Sequence, residues 1–211
     1  MSAPMLIRKT TMMLACAMLG ACASTSKESF YTLNPSATTP AASAASAPGD
    51  NAASGIGIAV GPVRVPEIVD RSQLVVRRGA TQVDLLEQHR WAQPLRSEIA
   101  QAIASGLRSH LPGARVALDR DAAAQNAQIR VAIDISRFDA VPGEAVVVQA
   151  LWSIRSTTPQ APLAGQSAAR EPVHGSGNEE IAPAFARAMA GVSRDIAAAI
   201  AAMPAPTAAA K

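Results

Sequence analysis

The feature that most constrains the fold is a pair of alternating segments on either side of Pro142-Gly143. Apolar residues stand at every second position from Ile129 to Ile135 before this turn, and again from Val146 to Ile154 after it. A period of two predicts strands with one buried face and one solvated face, and the turn between them predicts an antiparallel hairpin. A hairpin this long needs a second layer that covers its apolar face.

Two segments with helical periodicity are suited to form that layer. Pro94 fits the first turn of a helix that Pro112-Gly113 stops, and Asn178 is a suitable N-cap for a second helix with Glu179 and Glu180 in its first turn. The apolar residues of each helix fall on one face: Leu95, Ile99, Ala102, Ile103 and Leu107 in the first, and Ile181, Phe185, Met189, Val192, Ile196, Ile200 and Met203 in the second.

Shorter runs predict further strands at residues 30–33, from Ile56 onward, at 74–78 and 81–87 as a hairpin, and at 166–171. Pro62 and Pro66 should limit the strand at Ile56 to a sheet edge or end it. Together these elements predict an α/β fold of the α+β sandwich type. It consists of a mainly antiparallel sheet of about five to six strands with the two amphipathic helices on one face.

The opposite face of this sheet is only moderately polar, because Val147 and Leu151 point towards it. Two interpretations remain open. Another copy of the protein packs on this face and makes a homo-oligomer, or loops and the low-complexity insertion cover it.

The first 22 residues have the pattern of a bacterial lipoprotein leader. Arg8-Lys9 forms a basic region ahead of the uncharged run Thr10–Leu19, which is too short to span a bilayer about 30 Å thick. Leu19-Gly20-Ala21-Cys22 resembles the lipobox, in which the cysteine is acylated and becomes the N-terminus. The alternative is a coincidental cysteine after an ordinary cleavage site. Since Cys16 lies in the leader, acylation of Cys22 would leave no thiol for a disulfide.

The pattern divides the chain into five parts. They are a lipoprotein signal peptide (1–21), an acylated N-terminus with a short first strand (22–35), a flexible insertion (36–54), the α/β domain (55–203) and a disordered tail (204–211). In the insertion, 16 of 19 residues are Ala, Ser, Thr or Pro. Such a composition buries too little apolar surface to offset the entropy of ordering.

Charge and motif content exclude several classes of protein. Of the 19 Lys and Arg residues, Arg8 and Lys9 lie in the leader, which leaves 17 against 16 acidic residues and predicts no nucleic-acid surface. The sequence contains no Walker A, H-E-x-x-H or G-x-S-x-G motif, and its three histidines are scattered. We therefore expect no enzyme activity, cofactor or metal; a periplasmic hydrolase with a clustered His-Asp-Ser site is the enzyme alternative.

Two polar segments contain candidate partner-binding residues. Asp70 and Arg71 lie in a loop before a strand, and His89, Arg90 and Trp91 come just ahead of the first helix. Trp91 either plugs the junction of helix and sheet or anchors a partner at the surface. Asp70 and Arg71 either brace their own loop or contact a partner.

The order of these motifs resembles that of the PqiC/YmbA-type ABC-transport auxiliary lipoproteins. The resemblance covers the chain from Cys22 to about Leu107, and the later half is similar only in architecture. The insertion before Ile56 is longer than the family pattern leads us to expect. The motifs that carry the resemblance are the lipobox, Phe30-Tyr31-Thr32-Leu33, Gly61-Pro62-Val63, Pro66…Asp70-Arg71…Gln73-Leu74-Val75 and His89-Arg90-Trp91-Ala92…Pro94-Leu95.

The resemblance implies an outer-membrane lipoprotein that works with a PqiB-like periplasmic MCE-domain (mammalian-cell-entry) protein in lipid traffic between the two membranes. By similarity to lipoprotein sorting rules, Ala23 and Ser24 lack the aspartate that retains such proteins at the inner membrane, which implies the periplasmic face of the outer membrane. The α/β body would oligomerise or cap the MCE tunnel without covalent chemistry. The alternative is a stand-alone outer-membrane lipoprotein for envelope assembly or peptidoglycan contact.

Overall fold

The computed structural model describes residues 27–34, 55–158, 161–175 and 177–203. The predicted leader, lipobox, insertion and tail lie outside these residues. The strands are β1 (Ser29–Tyr31), β2 (Gly57–Arg64), β3 (Gln73–Arg77), β4 (Val83–Trp91), β5 (Arg115–Leu118), β6 (Ile129–Val141), β7 (Ala145–Ser156) and β8 (Leu163–Pro172). The helices are α1 (Leu95–His110) and α2 (Ile181–Ala201), with short 3-10 helices at Ala122–Asn126 and Asn178–Glu180.

The α+β sandwich class is confirmed, but the strands divide between two sheets. One has the order β5-β2-β6-β7-β8 and the other the order β1-β4-β3. The predicted long hairpin is present as β6 and β7, paired from Ile129 with Ser156 to Val141 with Ala145. The sheets are mixed rather than mainly antiparallel, because β2 pairs in parallel with β5 and β6, and β1 with β4. Parallel strands need a long crossover, and α1 lies in the one from β2 to β5.

Of the two outcomes predicted for β2, the edge position was wrong, since β2 lies between β5 and β6. The strand does end at Arg64, two residues before Pro66. Its pairing with β5 ends at Val60, and its register with β6 shifts between Val60 and Val63. Pro62 falls in this irregularity, where its missing N–H removes no ladder hydrogen bond. Gly61 just before it has a φ of +128°, and a Cβ there would meet the Asp119 carboxylate.

The two helices cover the inner face of the five-stranded sheet, where Ile133, Val146 and Ile154 are at most 2% exposed. The apolar stripe predicted for α2 is buried from Ile181 to Ile200. Asn178 does not cap this helix; it opens a 3-10 helix, and Glu180 occupies the N-cap position. Within the described residues, no helix combines the length and apolar character needed to cross a membrane.

The outer face of the five-stranded sheet has a covered part and an open part. Over β2 and β5, the 3-10 helix Ala122–Asn126 covers Ala59, and Ala124 and Ala127 are buried with it. Over β6 and β7, Leu151 is 51% exposed, as its predicted orientation requires. On this open part the sequence predicts either a second subunit or a covering segment.

Candidate functional site

Three polar segments meet where α1 begins, and we call this region the N-terminal corner: residues 27–34, the loop 65–72 and residues 89–98. Phe30 pairs with Arg90 across the parallel strands β1 and β4. The Trp91 N–H donates to the Ser72 carbonyl at 2.7 Å, and the Ala92 N–H donates to the Tyr31 carbonyl at 2.8 Å. The structure therefore brings together both polar segments singled out in the sequence, and adds the first strand to them.

Glu98 fastens the first strand to the body of the protein. Its Oε2 accepts hydrogen bonds from the Thr32 hydroxyl at 2.8 Å and from the Leu33 N–H at 2.9 Å. Glu98 is fully buried, Leu33 is 1% exposed beside it, and Oε1 of Glu98 has no hydrogen-bond partner within the described chain. A carboxylate in the first turn of a helix also interacts favourably with the helix dipole. Glu98 thus links the N-terminal segment to α1 through the core.

His89 and Arg90 bind the first strand from its other side. The His89 ring stacks on Tyr31 with centroids 5.7 Å apart, and its Nδ1 is hydrogen-bonded to the Tyr31 hydroxyl at 2.8 Å. Arg90 forms ion pairs with Glu28 at 3.4 Å and with Glu87 at 3.9 Å. Both candidate residues therefore hold the segment that follows the lipobox, while Arg90 remains 31% exposed at its side chain.

Trp91 lies in the core rather than at the surface. It is 5% exposed, and its ring centroid is 6.3 Å from that of Phe138 and 6.2 Å from that of Phe185. The Phe138 and Phe185 rings stack with centroids 3.8 Å apart. This aromatic group joins β4, β6 and α2, so Trp91 has the position of a plug at the helix–sheet junction. An exposed anchor at this corner has to come from its neighbours.

In the loop 65–72, Asp70 and Arg71 have different environments. Asp70 forms an ion pair with Arg96 of α1, which braces the loop against the helix. Two backbone hydrogen bonds hold the loop itself. The Val69 N–H donates to the Pro66 carbonyl, and the Asp70 N–H donates to the Glu67 carbonyl. Arg71 is exposed and makes no side-chain hydrogen bond or ion pair with the described residues. Arg71 is therefore a cation of the corner with no side-chain partner among the described residues.

A second charged cluster lies where the two sheets meet. Asp139 of β6 accepts from Arg77 of β3 at 2.9 Å and from Arg137 at 2.6 Å. Partial burial acts to raise the pKa of the Asp139 carboxyl, but the hydrogen bonds and charges of Arg77 and Arg137 outweigh it and hold that pKa below its ordinary value. The cluster connects the sheets. Among the described residues, no three His, Cys, Asp or Glu side chains are placed to hold a metal.

The N-terminal corner fastens the first strand to the body of the protein and presents exposed charge. Comparison with known proteins gives the family of the chain. The family model for the ABC-type transport auxiliary lipoprotein component matches residues 31–197. The chain belongs to this family. The resemblance found in the sequence is thus confirmed, and the family is one of transport auxiliary components. No curated protein matches the sequence.

Two solved structures share the fold of this auxiliary lipoprotein. An uncharacterized protein of known crystal structure is 19% identical, with a TM-score of 0.66 over 83% of this chain and 99% of that one. Protein XCC0632 from Xanthomonas campestris is 14% identical, with a TM-score of 0.55 over 81% of this chain and 89% of that one. At these identities the likeness shows the fold alone.

The residue that sequence reasoning missed in this auxiliary lipoprotein is Glu98. It stands three positions after Leu95 and directly before Ile99, on the apolar face of α1. An acid on an apolar helical face requires a buried partner, and that rule could have identified it. Its partners, Thr32 and Leu33, lie more than sixty residues away in the chain, so the sequence alone does not name them.

Proposed function

We propose that this auxiliary lipoprotein is anchored to the periplasmic face of the outer membrane through acylated Cys22. From there it docks a PqiB-like MCE-domain protein of an ABC-type lipid transport system and supports lipid traffic between the two membranes. The observation that carries the proposal is the match of residues 31–197 to the transport auxiliary lipoprotein family. The lipobox-like motif that ends at Cys22 supports the location at the membrane.

The contacts of Glu98, His89 and Arg90 with the first strand, which we call the clamp, support the anchoring part of the proposal. Cys22 precedes Ser29 by seven residues, a stretch that spans at most about 25 Å when fully extended. Because Glu98, His89 and Arg90 hold the strand that follows, the N-terminal corner would stay within about that distance of an acylated Cys22. The corner is then the part of the body nearest the membrane.

The exposed cations of the corner support the docking part. Arg71 has no side-chain partner in the described chain and Arg90 is partly exposed, and arginine is enriched at protein interfaces. We assign these two residues to the partner contact, while Asp70 braces the loop that carries Arg71 and His89 holds the first strand next to Arg90. Trp91 would support the contact only from the core.

The anchoring part is tested with Cys22→Ala. We expect the variant to fold like the wild type and to leave the membrane fraction, because no acyl chain can be attached. The measurement is membrane fractionation of the full chain after mild lysis, with circular dichroism of the purified protein as the folding control. An unchanged membrane fraction contradicts the anchoring claim.

The docking part is tested by affinity capture of the tagged full chain from envelopes solubilised in a neutral detergent, with mass spectrometry of bound proteins. We expect an MCE-domain protein, and a reduced yield with Arg71→Ala and Arg90→Ala. Arg78→Ala is the matched control, because Arg78 is an exposed cation at the far end of the β3–β4 hairpin, ion-paired with Asp84. Reproducible capture of an assembly or cell-wall component instead would favour the stand-alone lipoprotein.

A further inference from the structure

The open part of the outer face contains a trough of about 860 Å³, which we call the outer-face trough. Its floor consists of small residues on three neighbouring strands, since Ala132 pairs with Ser153 and Ser153 pairs with Ala164. Longer side chains stand on either side of this row, two residues away along β6 and along β7. At about 3.3 Å per residue, the flanking rows are roughly 13 Å apart. The trough therefore runs across the strands.

One wall of the trough carries two positive charges. Arg130 of β6 and Arg155 of β7 are exposed and directly opposite each other. Like charges at directly opposite positions destabilise an antiparallel pair. Arg130 donates to the Ala124 carbonyl at 3.1 Å, and Arg155 has no hydrogen bond or ion pair within the described residues. This juxtaposition leaves two guanidinium groups without a counter-ion among the described residues.

The other wall is apolar and nearly neutral. Leu151 stands there with half of its surface exposed, and the exposed Pro62, at the register shift of β2, also lines the trough. Arg64 and Asp134 stand at neighbouring positions of β2 and β6 on this wall and carry opposite charges, without an ion pair between them. Asp119 also lines the trough, and neither it nor Asp134 forms an ion pair with Arg130 or Arg155. The wall of Arg130 and Arg155 is the part of the lining where two like charges stand together, and the lining as a whole carries three arginines against two aspartates.

We propose that the outer-face trough binds an anionic glycerophospholipid. Its phosphate lies between Arg130 and Arg155, and its acyl chains cross the small-residue floor towards Leu151. Arginine is suited to this because its planar donors match phosphate oxygens in pairs. The choice of a lipid among anionic amphiphiles rests on the proposed function, which places the protein at a membrane. The charged wall and the apolar wall do not depend on it.

The test is a calorimetric titration of the purified full chain in a neutral detergent with dihexanoyl-phosphatidylglycerol. We expect saturable binding, weakened about tenfold or more by Arg130→Gln and by Arg155→Gln, because each removes a charge-assisted contact to phosphate. Arg170→Gln is the matched control: Arg170 lies on the outer face of β8, away from the trough and ion-paired with Glu144, and its loss should leave the affinity unchanged. Leu151→Ser tests the apolar wall and should weaken binding by a smaller factor.

Further titrations separate the sources of the anion. Glycerol 3-phosphate, which lacks acyl chains, should bind more weakly than the lipid, and dihexanoylglycerol, which lacks phosphate, should not bind. Equal affinity for glycerol 3-phosphate, or equal lipid affinity in Arg130→Gln and the wild type, overturns the proposal. So does an oligomer that dissociates on Arg155→Gln without any change in lipid binding, since the face would then contact another copy. The titration contains no partner protein, so failure to capture an MCE-domain protein does not alter its outcome.

Discussion

The two faces of the five-stranded sheet are built from alternate residues of the same strands, yet they do different things. Ile133, Val146 and Ile154 point inward beneath the helices and are at most 2% exposed. Arg130, Leu151 and their neighbours point outward and are accessible. The inner face holds most of the stabilising contacts, whereas the outer face keeps unpaired charge and apolar surface that add little stability. A binding surface on the outer face can carry charged and apolar side chains without disturbing the packing of the core.

The largest effect should come from the helix layer that covers the inner face. Phe185→Ala removes a ring that is 2% exposed and stacked on Phe138, and we expect it to lower the free energy of unfolding by about 3–5 kcal/mol. Phe30→Ala is the matched control, because Phe30 is 62% exposed, and it should change stability by less than about 0.5 kcal/mol. Urea denaturation of the full-length variants measures both. Equal losses at the two positions would contradict the division between core and surface.

A buried polar group in the core should give the next effect. Glu98→Ala leaves the Leu33 N–H and the Thr32 hydroxyl without their acceptor, and we expect a loss of about 2–3 kcal/mol. Trypsin should also cleave after Lys27 faster, because the first strand loses its clamp. Glu98→Gln keeps one acceptor oxygen, so its loss should be smaller and its cleavage slower. The two variants are compared by urea denaturation and timed proteolysis.

A glutamine that behaves like the alanine would show that the hydrogen bonds to Thr32 and Leu33 do not hold the segment. The first strand would then be held, like the inner face of the sheet, by apolar packing alone.

The division between the two faces could be predicted from the sequence, because it follows from the period of the β6–β7 hairpin. The stripe of α2 and the outward direction of Leu151 follow from the same kind of periodicity. The partition into two sheets could not be predicted, since the parallel pairings of β1 with β4 and of β2 with β6 join segments far apart in the chain. No local pattern specifies such partners.

The candidate site shows the same limit. The sequence indicated two of the three polar segments of the N-terminal corner, because each concentrates charged side chains beside an amide or an aromatic ring. It left Trp91 open between core and surface, since one aromatic residue before a helix satisfies either role. Only the placement of Phe138 and Phe185 around its ring decides the position. Glu98 was missed because its partners are remote.

Asp139 is intermediate between the buried inner face and the exposed outer face, because it is half-buried where the two sheets meet. It gives a pH-dependent prediction. Because the pKa of its carboxyl is lowered in the folded protein, its contribution to stability is present above the unfolded-state pKa and disappears as pH falls through the folded-state pKa. Asp139→Asn should therefore lower the free energy of unfolding by about 1 kcal/mol at neutral pH. This difference from the wild type should vanish well below pH of about 4. Urea denaturation across that range measures it; a difference that grows on acidification has the wrong sign for an ion pair.

The smallest effect should come from the outer face, and its sign is the opposite. Arg155→Gln removes one of two directly opposed like charges, so we expect the free energy of unfolding to rise by about 0.2–0.5 kcal/mol. The gain should be larger at low ionic strength, where the repulsion is less screened. Arg170→Gln, which breaks an exposed ion pair with Glu144, should give no gain. Urea denaturation at two salt concentrations resolves the two variants. A loss of stability in Arg155→Gln would mean that this arginine stabilises the sheet. The contrast between a stabilising inner face and a binding outer face would then not hold at Arg155.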